Sequence, residues 1–475
     1  MHSSDASQQI MKSVDSKLAR LYRLGFFFYL AYVVLALVYY RERSSFLDIP
    51  YHIFEMTHRE GPAIQNYRFV ALLSQWAPVL AIRLGLSLKA IMVIYSLVFA
   101  LLYGMVYWLC GLLGQYRIGL AWLLCQTLFV THTFFWMQSE LPQSMAVLFL
   151  SLAVLLWQPE GKGWSIIRVL LLLLLLPTLA FGHPLLAAPY LAVLAVFWFF
   201  YKEKNKRLWI AATAVIYLAA YITRAIFFAT TYDSGAMDPL LDNAAENLKH
   251  IGSLPVTRFV LRKWIGAYAL MPLALGFLLW LYVRLRVSAW QWLILLGGFF
   301  GYLFLIILGD VNETTQPFYR ENLLLPLGII LAVPLALYGF PFLIEKRGAT
   351  PLLWVIMIGA LARFVVVGFQ YQERYRWLVA FVKEHQHEKL IIADRPEYVN
   401  ALIMTWATPY ESWLVSTAES GKTASLIIYE NPQELEWATH DAKKFLTRWG
   451  TFPYEQLPAR YFQFTDTLTT YRIVP

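Results

Sequence analysis

The stretch Leu88-Lys-Ala-Ile-Met-Val-Ile-Tyr-Ser-Leu-Val-Phe-Ala-Leu-Leu-Tyr-Gly-Met-Val-Tyr-Trp-Leu-Cys-Gly-Leu112 is apolar almost throughout and contains one charged residue, Lys89. About 20 such residues in a helix cross a hydrocarbon core about 30 Å thick. Similar runs recur along the 475 residues, of which 59% are hydrophobic and only 15% are charged. Soluble domains have about 25% charged residues. The sequence therefore predicts an all-α polytopic membrane protein.

The apolar runs predict about eleven transmembrane helices. Their approximate ranges are 24–40, 88–114, 118–136, 142–157, 166–182, 184–201, 208–228, 265–284, 289–309, 322–344 and 351–370. Arg41-Glu-Arg43 follows the first run where a signal peptide would have a small-residue cleavage site, so this run is predicted to be a retained anchor. Both cysteines, Cys110 and Cys125, lie inside apolar runs. A disulfide framework and a thiolate metal cluster are therefore excluded.

Lysine and arginine in the short connections predict the orientation. With a cytoplasmic N-terminus, fifteen of these residues fall on the cytoplasmic side. The short connections on the other side contain only Arg320; they are 137–141, 183–184 and 310–321. An excess of lysine and arginine is typical of cytoplasmic loops. We therefore expect a multi-pass protein of a bacterial cytoplasmic membrane whose large segments, 41–87, 229–264 and 371–475, lie outside.

The net charge of +9 does not indicate nucleic acid as a partner. The basic residues are scattered over the ends of apolar runs and do not form an aromatic-rich basic patch. Contact with anionic membrane lipid explains this distribution better.

The tail, 371–475, has 11 basic and 13 acidic residues and no long apolar run. Lys389-Leu-Ile-Ile-Ala and Ala424-Ser-Leu-Ile-Ile-Tyr are typical of short buried strands. Residues 432–449 are predicted to form a helix capped by Asn431, and 459–474 alternate like a hairpin. We therefore expect two domains, a transmembrane domain of residues 1–370 and a small extracytoplasmic α/β domain of residues 371–475.

The first outer segment contains a cluster of polar residues directly after the first span. Phe46-Leu-Asp-Ile-Pro-Tyr-His-Ile-Phe-Glu-Met-Thr-His58 places Asp48, His52 and Glu55 close together. If the stretch after Pro50 is helical, Asp48 caps it and the others fall on neighbouring turns. The alternative to a functional cluster is a helix cap followed by solvated polar residues.

Four further residues on or near the outer side are candidates for binding or catalysis. Glu140 in Met137-Gln-Ser-Glu-Leu-Pro is a second carboxylate, or a helix-start residue. Arg320 in Phe318-Tyr-Arg-Glu-Asn-Leu-Leu-Leu-Pro suits a phosphate, or is a snorkelling interfacial arginine. His183, in a Gly-His-Pro turn, can orient an acid or simply form the turn. Arg224 near a span end, like Arg363 in the last span, is expected to face a cavity or a partner.

Between these polar groups lies an apolar stretch, 68–87, that is broken by Pro78 and too short to span. It suits a helix in the interface plane. An acidic residue beyond the first span, an interfacial helix with Gln75-Trp-Ala-Pro78, and Leu84-Gly-Leu-Ser87 before a long second span together resemble the GT-C superfamily. These are polytopic glycosyltransferases that use polyprenyl-phosphate sugars, such as protein O-mannosyltransferases and the aminoarabinose transferase of lipid A.

The resemblance implies a glycosyltransferase that moves a sugar from a polyprenyl-phosphate donor to a glycan, lipid or protein acceptor on the outer face, with inversion. It implies that Asp48 is the catalytic base and that Glu140 positions the acceptor or binds a divalent metal ion. Arg320, supported by Arg224, would bind the phosphate. Many members have two adjacent acids at the first position, whereas Ile49 follows Asp48 here.

Two other functions remain open from the sequence. One is a transporter or lipid flippase with Arg224 and Arg363 as substrate ligands, although the cytoplasmic loops are short. The other is a catalytically silent scaffold of the same architecture.

Overall fold

The structure is a computed structural model that describes residues 2–159, 161–309 and 316–474 and is 74% helical. Within the predicted outer connection 310–321, residues 310–315 lie outside the described ranges. The first helices are α1 (His2–Val38), α2 (Tyr40–Ser44), α3 (Asp48–Arg59), α4 (Leu72–Arg83), α5 (Leu88–Leu112), α6 (Tyr116–Leu128), α7 (Glu140–Leu156), α8 (Lys162–Ala180) and α9 (Ala187–Phe200). There follow α10 (Lys204–Phe227), α11 (Thr231–Lys249), α12 (Pro255–Ile265), α13 (Leu270–Arg284), α14 (Ala289–Leu308), α15 (Pro317–Pro334), α16 (Phe340–Glu345), α17 (Ala349–Glu384), α18 (Pro396–Leu402) and α19 (Thr408–Ser420).

Seven helices of the described residues are long and apolar enough to cross a membrane, or eight if a bent pair counts as one span. They are Asp15–Val38, Leu88–Leu112, Gly163–Ala180, Lys204–Phe227, Ala289–Leu308, Pro317–Glu345 and Ala349–Glu384. The bent pair is α12 with α13, which meet at 78°. The expected polytopic, predominantly helical architecture is confirmed at this level.

The expected number of eleven differs from this count at four places. The ranges 118–136, 142–157 and 184–201 are occupied by the shorter helices α6, α7 and α9, and 265–284 belongs to the bent pair. At 1.5 Å per residue, the 13 residues of α6 reach about 20 Å, less than the hydrocarbon thickness. Helix α6 ends early because Thr131, His132 and Thr133 donate backbone hydrogen bonds to the Glu321 carboxylate instead of continuing the helix.

The tail contains a three-stranded parallel sheet in the order β2-β1-β5, built from β1 (Lys389–Ala393), β2 (Ser425–Tyr429) and β5 (Arg472–Val474). The two strands expected from sequence are thus present. A second, antiparallel pair consists of β3 (Lys444–Thr447) and β4 (Gly450–Pro453).

Two expectations for the tail are wrong. The helix expected at 432–449 is a 3₁₀ stretch, Pro432–His440, followed by β3, and Asn431 makes no side-chain cap. The hairpin expected at 459–474 is absent from the described residues there, because β5 pairs in parallel with β1. Alternation of apolar residues defines a strand's faces but not its partner strand.

The tail is packed onto the helices near α3. Helix α17, which is the last candidate span, continues to Glu384 and so passes through the predicted boundary at 371. Tyr410, Trp413 and Phe462 belong to the same apolar cluster as the residues of the helix bundle. Their rings surround Phe54 of α3 at centroid distances of 5.2 to 5.6 Å.

Helix α4 presents an apolar stripe on the surface. Leu72, Trp76, Leu80 and Leu84 follow one another at intervals of four residues, and all four are exposed. The opposite side buries Ser74, Gln75 and Ile82. A short helix with one exposed apolar stripe is suited to the membrane interface, as the sequence predicts for 68–87.

Candidate functional site

Asp48 is placed by a strained turn between α2 and α3. The residue before it, Leu47, has φ 52° and ψ −113°, a backbone conformation that costs a non-glycine residue about 1–3 kcal/mol. The Leu47 N–H donates to Glu411 Oε1 at 2.9 Å. Glu411 is fully buried in α19 and forms an ion pair with Arg374 of α17. A buried ion pair of the tail thus stabilises the turn that sets the direction of Asp48.

The Asp48 carboxylate is half-buried and hydrogen-bonded by the loop before α7. Trp136 Nε1 donates to Asp48 Oδ2 at 2.8 Å, and the Gln138 amide contributes a further hydrogen bond. Burial, and to a lesser extent the negative charge of Glu140, raise the pKa of Asp48 to about 6, although the two hydrogen bonds lower it. A carboxylate with this pKa is a usable proton acceptor near neutral pH.

The expectation that Asp48 caps a helix is wrong. Helix α3 begins at Asp48 itself, and Leu47 occupies the N-cap position with no side-chain cap bond. The carboxylate is therefore directed to Trp136 and not to the free N–H groups of its own helix.

Glu140 begins α7, as the helix-start interpretation predicts, with Ser139 as its N-cap. Its buried carboxylate also forms an ion pair, because Arg68 Nη1 lies 3.2 Å from Glu140 Oε2. The arginine comes from the short segment that leads into α4. Glu140 is thus held in place by a cation and lies close enough to Asp48 to act on its charge.

His52 lies one turn after Asp48 on α3 and is buried. Burial lowers its pKa, so the imidazole is neutral near pH 7. Gln75 Oε1 accepts from the Ala63 N–H at 2.7 Å, which fixes the orientation of the Gln75 amide. Its Nε2 then donates to His52 Nδ1 at 3.1 Å. The other ring nitrogen, Nε2, consequently carries the hydrogen.

Glu55 lies two turns after Asp48 and faces the tail. Its carboxylate pairs with Arg59 on the same helix, with 2.6 Å between Arg59 Nη2 and Glu55 Oε2. No contact between Glu55 and Asp48 or Glu140 is seen in the described residues. The structure thus separates Glu55 from the other two carboxylates.

His183 and Arg224 lie in the same neighbourhood as Arg68. His183 Nδ1 accepts from the Leu185 N–H at 3.3 Å and so forms the expected turn. Burial lowers the pKa of His183 well below its usual value, and the positive charges of Arg68 and Arg224 lower it further. Three aromatic contacts connect the neighbouring residues: Phe69–Phe181 at 6.2 Å, Phe181–Phe228 at 5.2 Å and Tyr67–Phe228 at 5.4 Å.

Arg320 is buried near the start of α15, and not extended to the surface as a snorkelling side chain would be. Its guanidinium lies 5.7 Å from the Phe259 ring. The preceding residue, Tyr319, packs 5.9 Å from the Trp136 ring and lies close to the charges of Asp48 and Arg68. The start of α15 is therefore next to the Asp48 site.

Glu321 fixes the loop that carries Trp136, Gln138 and Glu140. Besides the backbone N–H groups of 131–133, the Thr133 and Tyr268 hydroxyls donate to its fully buried carboxylate. A carboxylate that accepts hydrogen bonds from several elements holds them rigidly together.

The polar residues between the candidate spans form one group, which we call the Asp48 site: Asp48, His52, Arg68, Trp136, Gln138 and Glu140. His183 lies next to Arg68 and to Arg224, which is near the end of the candidate span Lys204–Phe227. Together these residues combine a proton acceptor with buried cations suited to an anion. In the part of the chain that the structure describes, no three His, Cys, Asp or Glu side chains are grouped as metal ligands.

Comparisons with protein-family models, curated proteins and solved structures found no match.

Arg68, Trp136 and Gln138 are the members of the Asp48 site that sequence reasoning missed. The sequence pattern indicates Arg68 only as a boundary of the interfacial stretch, and Trp136 only as the end of the predicted span 118–136. The sequence does contain an indication of the loop before α7. The predicted span 118–136 is interrupted by three consecutive polar residues, Thr131, His132 and Thr133. Such an interruption favours a structured loop over a continuous membrane helix.

Proposed function

We propose that the protein is an inverting glycosyltransferase of the GT-C type, which transfers a sugar from a polyprenyl-phosphate donor to an acceptor on the outer face of the membrane. The observation that carries the proposal is the half-buried Asp48 carboxylate outside the candidate spans, with a pKa of about 6 and close to Glu140, which Arg68 holds in an ion pair. In this proposal the tail, 371–475, is an extracytoplasmic domain. The acceptor is a glycan, a lipid or a protein.

The proposed reaction is a single displacement at the anomeric carbon. The Asp48 carboxylate takes the proton of the acceptor hydroxyl while the acceptor oxygen bonds to that carbon. The bond between the carbon and the phosphate oxygen breaks, and its electron pair leaves with the polyprenyl phosphate. Arg320 and Arg224 stabilise the negative charge that develops on this leaving group. Glu140, held by Arg68, positions the acceptor.

The neighbouring elements are suited to such a donor. The exposed stripe of Leu72, Trp76, Leu80 and Leu84 provides an apolar surface beside the Asp48 site for the isoprenoid chain. The stripe and the Asp48 site lie close together, because Arg68, just before α4, contacts Glu140, and Gln75 of α4 contacts His52. A lipid-linked substrate therefore has an apolar and an ionic binding surface on adjoining residues.

The transporter alternative receives less support. It assigned Arg224 and Arg363 as substrate ligands. Arg363 instead donates to two backbone carbonyls, those of Thr127 and Ala267. These bonds connect α17 with the end of α6 and with the turn before α13, which is a structural role.

The proposed function is tested with the purified protein in proteoliposomes and a doubly labelled polyprenyl-phosphate sugar. We expect the sugar label to appear on an acceptor or on water and the lipid label to appear as polyprenyl phosphate. Movement of the intact donor across the bilayer would identify a flippase instead. A protein that neither cleaves nor moves any donor of a panel of sugars would be the silent scaffold.

The orientation has its own test. Single cysteines introduced at residues 60 and 441 are expected to react with a membrane-impermeant maleimide in intact spheroplasts. Residue 60 directly follows α3, the helix of Asp48, and residue 441 lies in the tail. A cysteine at position 204, in the start of α10, should react only after permeabilisation. The reverse labelling pattern would place the Asp48 site on the cytoplasmic side and exclude the proposal.

The activity is expected to depend on pH through Asp48. The base must be deprotonated, so kcat/KM should rise about tenfold per pH unit below about 6 and level off above it. In Trp136→Phe the carboxylate loses a hydrogen bond that lowers its pKa, so the acidic limb should move to higher pH. The measurement is kcat/KM between pH 4.5 and 8.5 for both proteins. An acidic limb that stays in place or moves to lower pH in the variant would show that the ionisation of Asp48 does not control kcat/KM.

A further inference from the structure

Trp449 lies in an unusual position for a tryptophan. The strands β3 and β4 are joined by a two-residue turn, Arg448-Trp449, and Gly450 begins β4. Turns of this length favour Asn, Asp and Gly. The Trp449 side chain is nevertheless 62% exposed. Neither the turn nor the core of the tail explains a large apolar ring at this position.

Trp449 is not isolated, because its ring packs against α3. The centroid of its ring lies 5.0 Å from that of Tyr51, at an angle of 78° between the rings. Trp406 and Tyr410 lie 5.1 and 6.0 Å away on its other sides. We call Trp449, Trp406, Tyr51 and Tyr410 the aromatic platform. One indole is thus fixed in orientation by three rings while much of its surface stays open to solvent.

Polar groups surround the platform. Gln65 Nε2 donates to the Tyr51 hydroxyl at 3.0 Å, and Tyr410 hydrogen-bonds Thr447. Glu55 lies close enough to Tyr51 and Tyr410 for its charge to act on both. Its partner Arg59 is exposed, so one end of this ion pair is accessible to a ligand. The platform therefore combines a flat apolar surface with carboxylate, guanidinium and amide groups.

We propose that the aromatic platform is a carbohydrate-binding subsite that holds a saccharide acceptor. A sugar ring has an apolar face of C–H groups, which packs on an indole, and a rim of hydroxyls, which need donors and acceptors such as Arg59 and Glu55. Acyl chains would cover the Arg59–Glu55 ion pair and the Gln65 amide with groups that offer no hydrogen bonds in place of those from water. The lipid-facing features of this region lie instead on the stripe of α4.

The position of the platform relative to Asp48 supports an acceptor. Tyr51 comes three residues after Asp48 on α3, which corresponds to about 5 Å along the helix axis. A saccharide of two or more rings bound on Trp449 and Tyr51 would therefore extend toward the Asp48 carboxylate. Binding at the platform is independent of the reaction, whereas its role as an acceptor subsite rests on the proposed function.

The test measures saccharide binding directly. The full-length protein in nanodiscs is titrated with maltotetraose, mannotetraose and chitotetraose, and binding is followed by saturation-transfer NMR. We expect at least one tetrasaccharide to bind, and Trp449→Ala to weaken its binding at least tenfold. Trp437→Ala is the matched control, because Trp437 is also in the tail and is 54% exposed but lies outside the platform. The control should bind like the wild type.

A second measurement distinguishes a sugar from a membrane as the occupant. 5-Fluorotryptophan is incorporated, and the ¹⁹F signal at 449 is assigned by its loss in Trp449→Phe. Tetrasaccharide should shift this signal, and spin-labelled lipid in the nanodisc should not broaden it. Broadening by the spin label without a saccharide shift, or no binding of any of the three tetrasaccharides, would overturn the proposal. Saccharide binding without donor cleavage would refute the proposed function alone, and donor cleavage without saccharide binding would refute the subsite alone.

Discussion

Asp48→Asn is expected to lower kcat/KM for sugar transfer about 10²–10⁴-fold, the range that a positioned general base contributes. The amide has the shape of the carboxylate and can still accept the hydrogen bond from Trp136 Nε1 through its oxygen. It cannot take a proton from the acceptor. The loss should therefore appear in kcat rather than in KM. The measurement is initial-rate kinetics with the labelled polyprenyl-phosphate sugar at pH 7.5, well above the pKa of Asp48.

The matched control is Asp441→Asn, which makes the same chemical change at an exposed position of the tail. It should retain the full rate. The melting temperature of Asp48→Asn should not fall, because burial disfavours the charge that the substitution removes. Turnover that survives Asp48→Asn intact would show that another group accepts the proton.

Glu411→Leu is expected to be strongly destabilising. It leaves the Arg374 guanidinium, which is buried at the contact of α17 and α19, without its counter-charge. Removing one partner of a buried ion pair costs about 3–5 kcal/mol. The loss of stability should be measurable as a lower melting temperature in detergent and as faster unfolding in denaturant. A melting temperature like that of the wild type would mean that the ion pair is not formed in solution.

The double variant Arg374→Met/Glu411→Leu separates stability from positioning. Replacing both charges by apolar side chains of similar volume often restores stability, so the melting temperature should recover. The Leu47 N–H, however, remains without its acceptor Glu411 Oε1. The strained turn before Asp48 should relax, and the rate of sugar transfer should stay below that of the wild type. As a control, Asp441→Leu, which removes an exposed partner of Lys444, should leave the melting temperature unchanged.

Several features of the candidate site were predictable because they depend on local sequence. Asp48, His52 and Glu55 lie within a stretch of eight residues in the segment after the first span. Their helix is amphipathic, so Asp48 and His52 fall on the same side, where they meet Glu140. The strands β1 and β2 were recognisable from four consecutive apolar residues between polar segments.

Other features depend on contacts between distant parts of the chain. The end of α6 at Leu128 is set by Glu321, a residue distant in the sequence, whose carboxylate binds the backbone N–H groups of 131–133. Without that acceptor, the apolar pattern of 118–136 is equally suited to one continuous span. The same loop brings Trp136 and Gln138 to Asp48. Its side chains have no periodicity from which this contact can be inferred.

Length and hydropathy of a helix are local properties of the chain, so the apolar runs alone predict a helical protein with several spans and with its polar candidates beside them. Contacts in the folded chain set which apolar runs form long helices, the ion pair of Arg68 with Glu140, and the hydrogen bond from the turn before Asp48 to Glu411 of the tail. These are pairings of buried polar groups. Each exists only when folding removes both partners from water, and therefore it cannot be read from either segment alone.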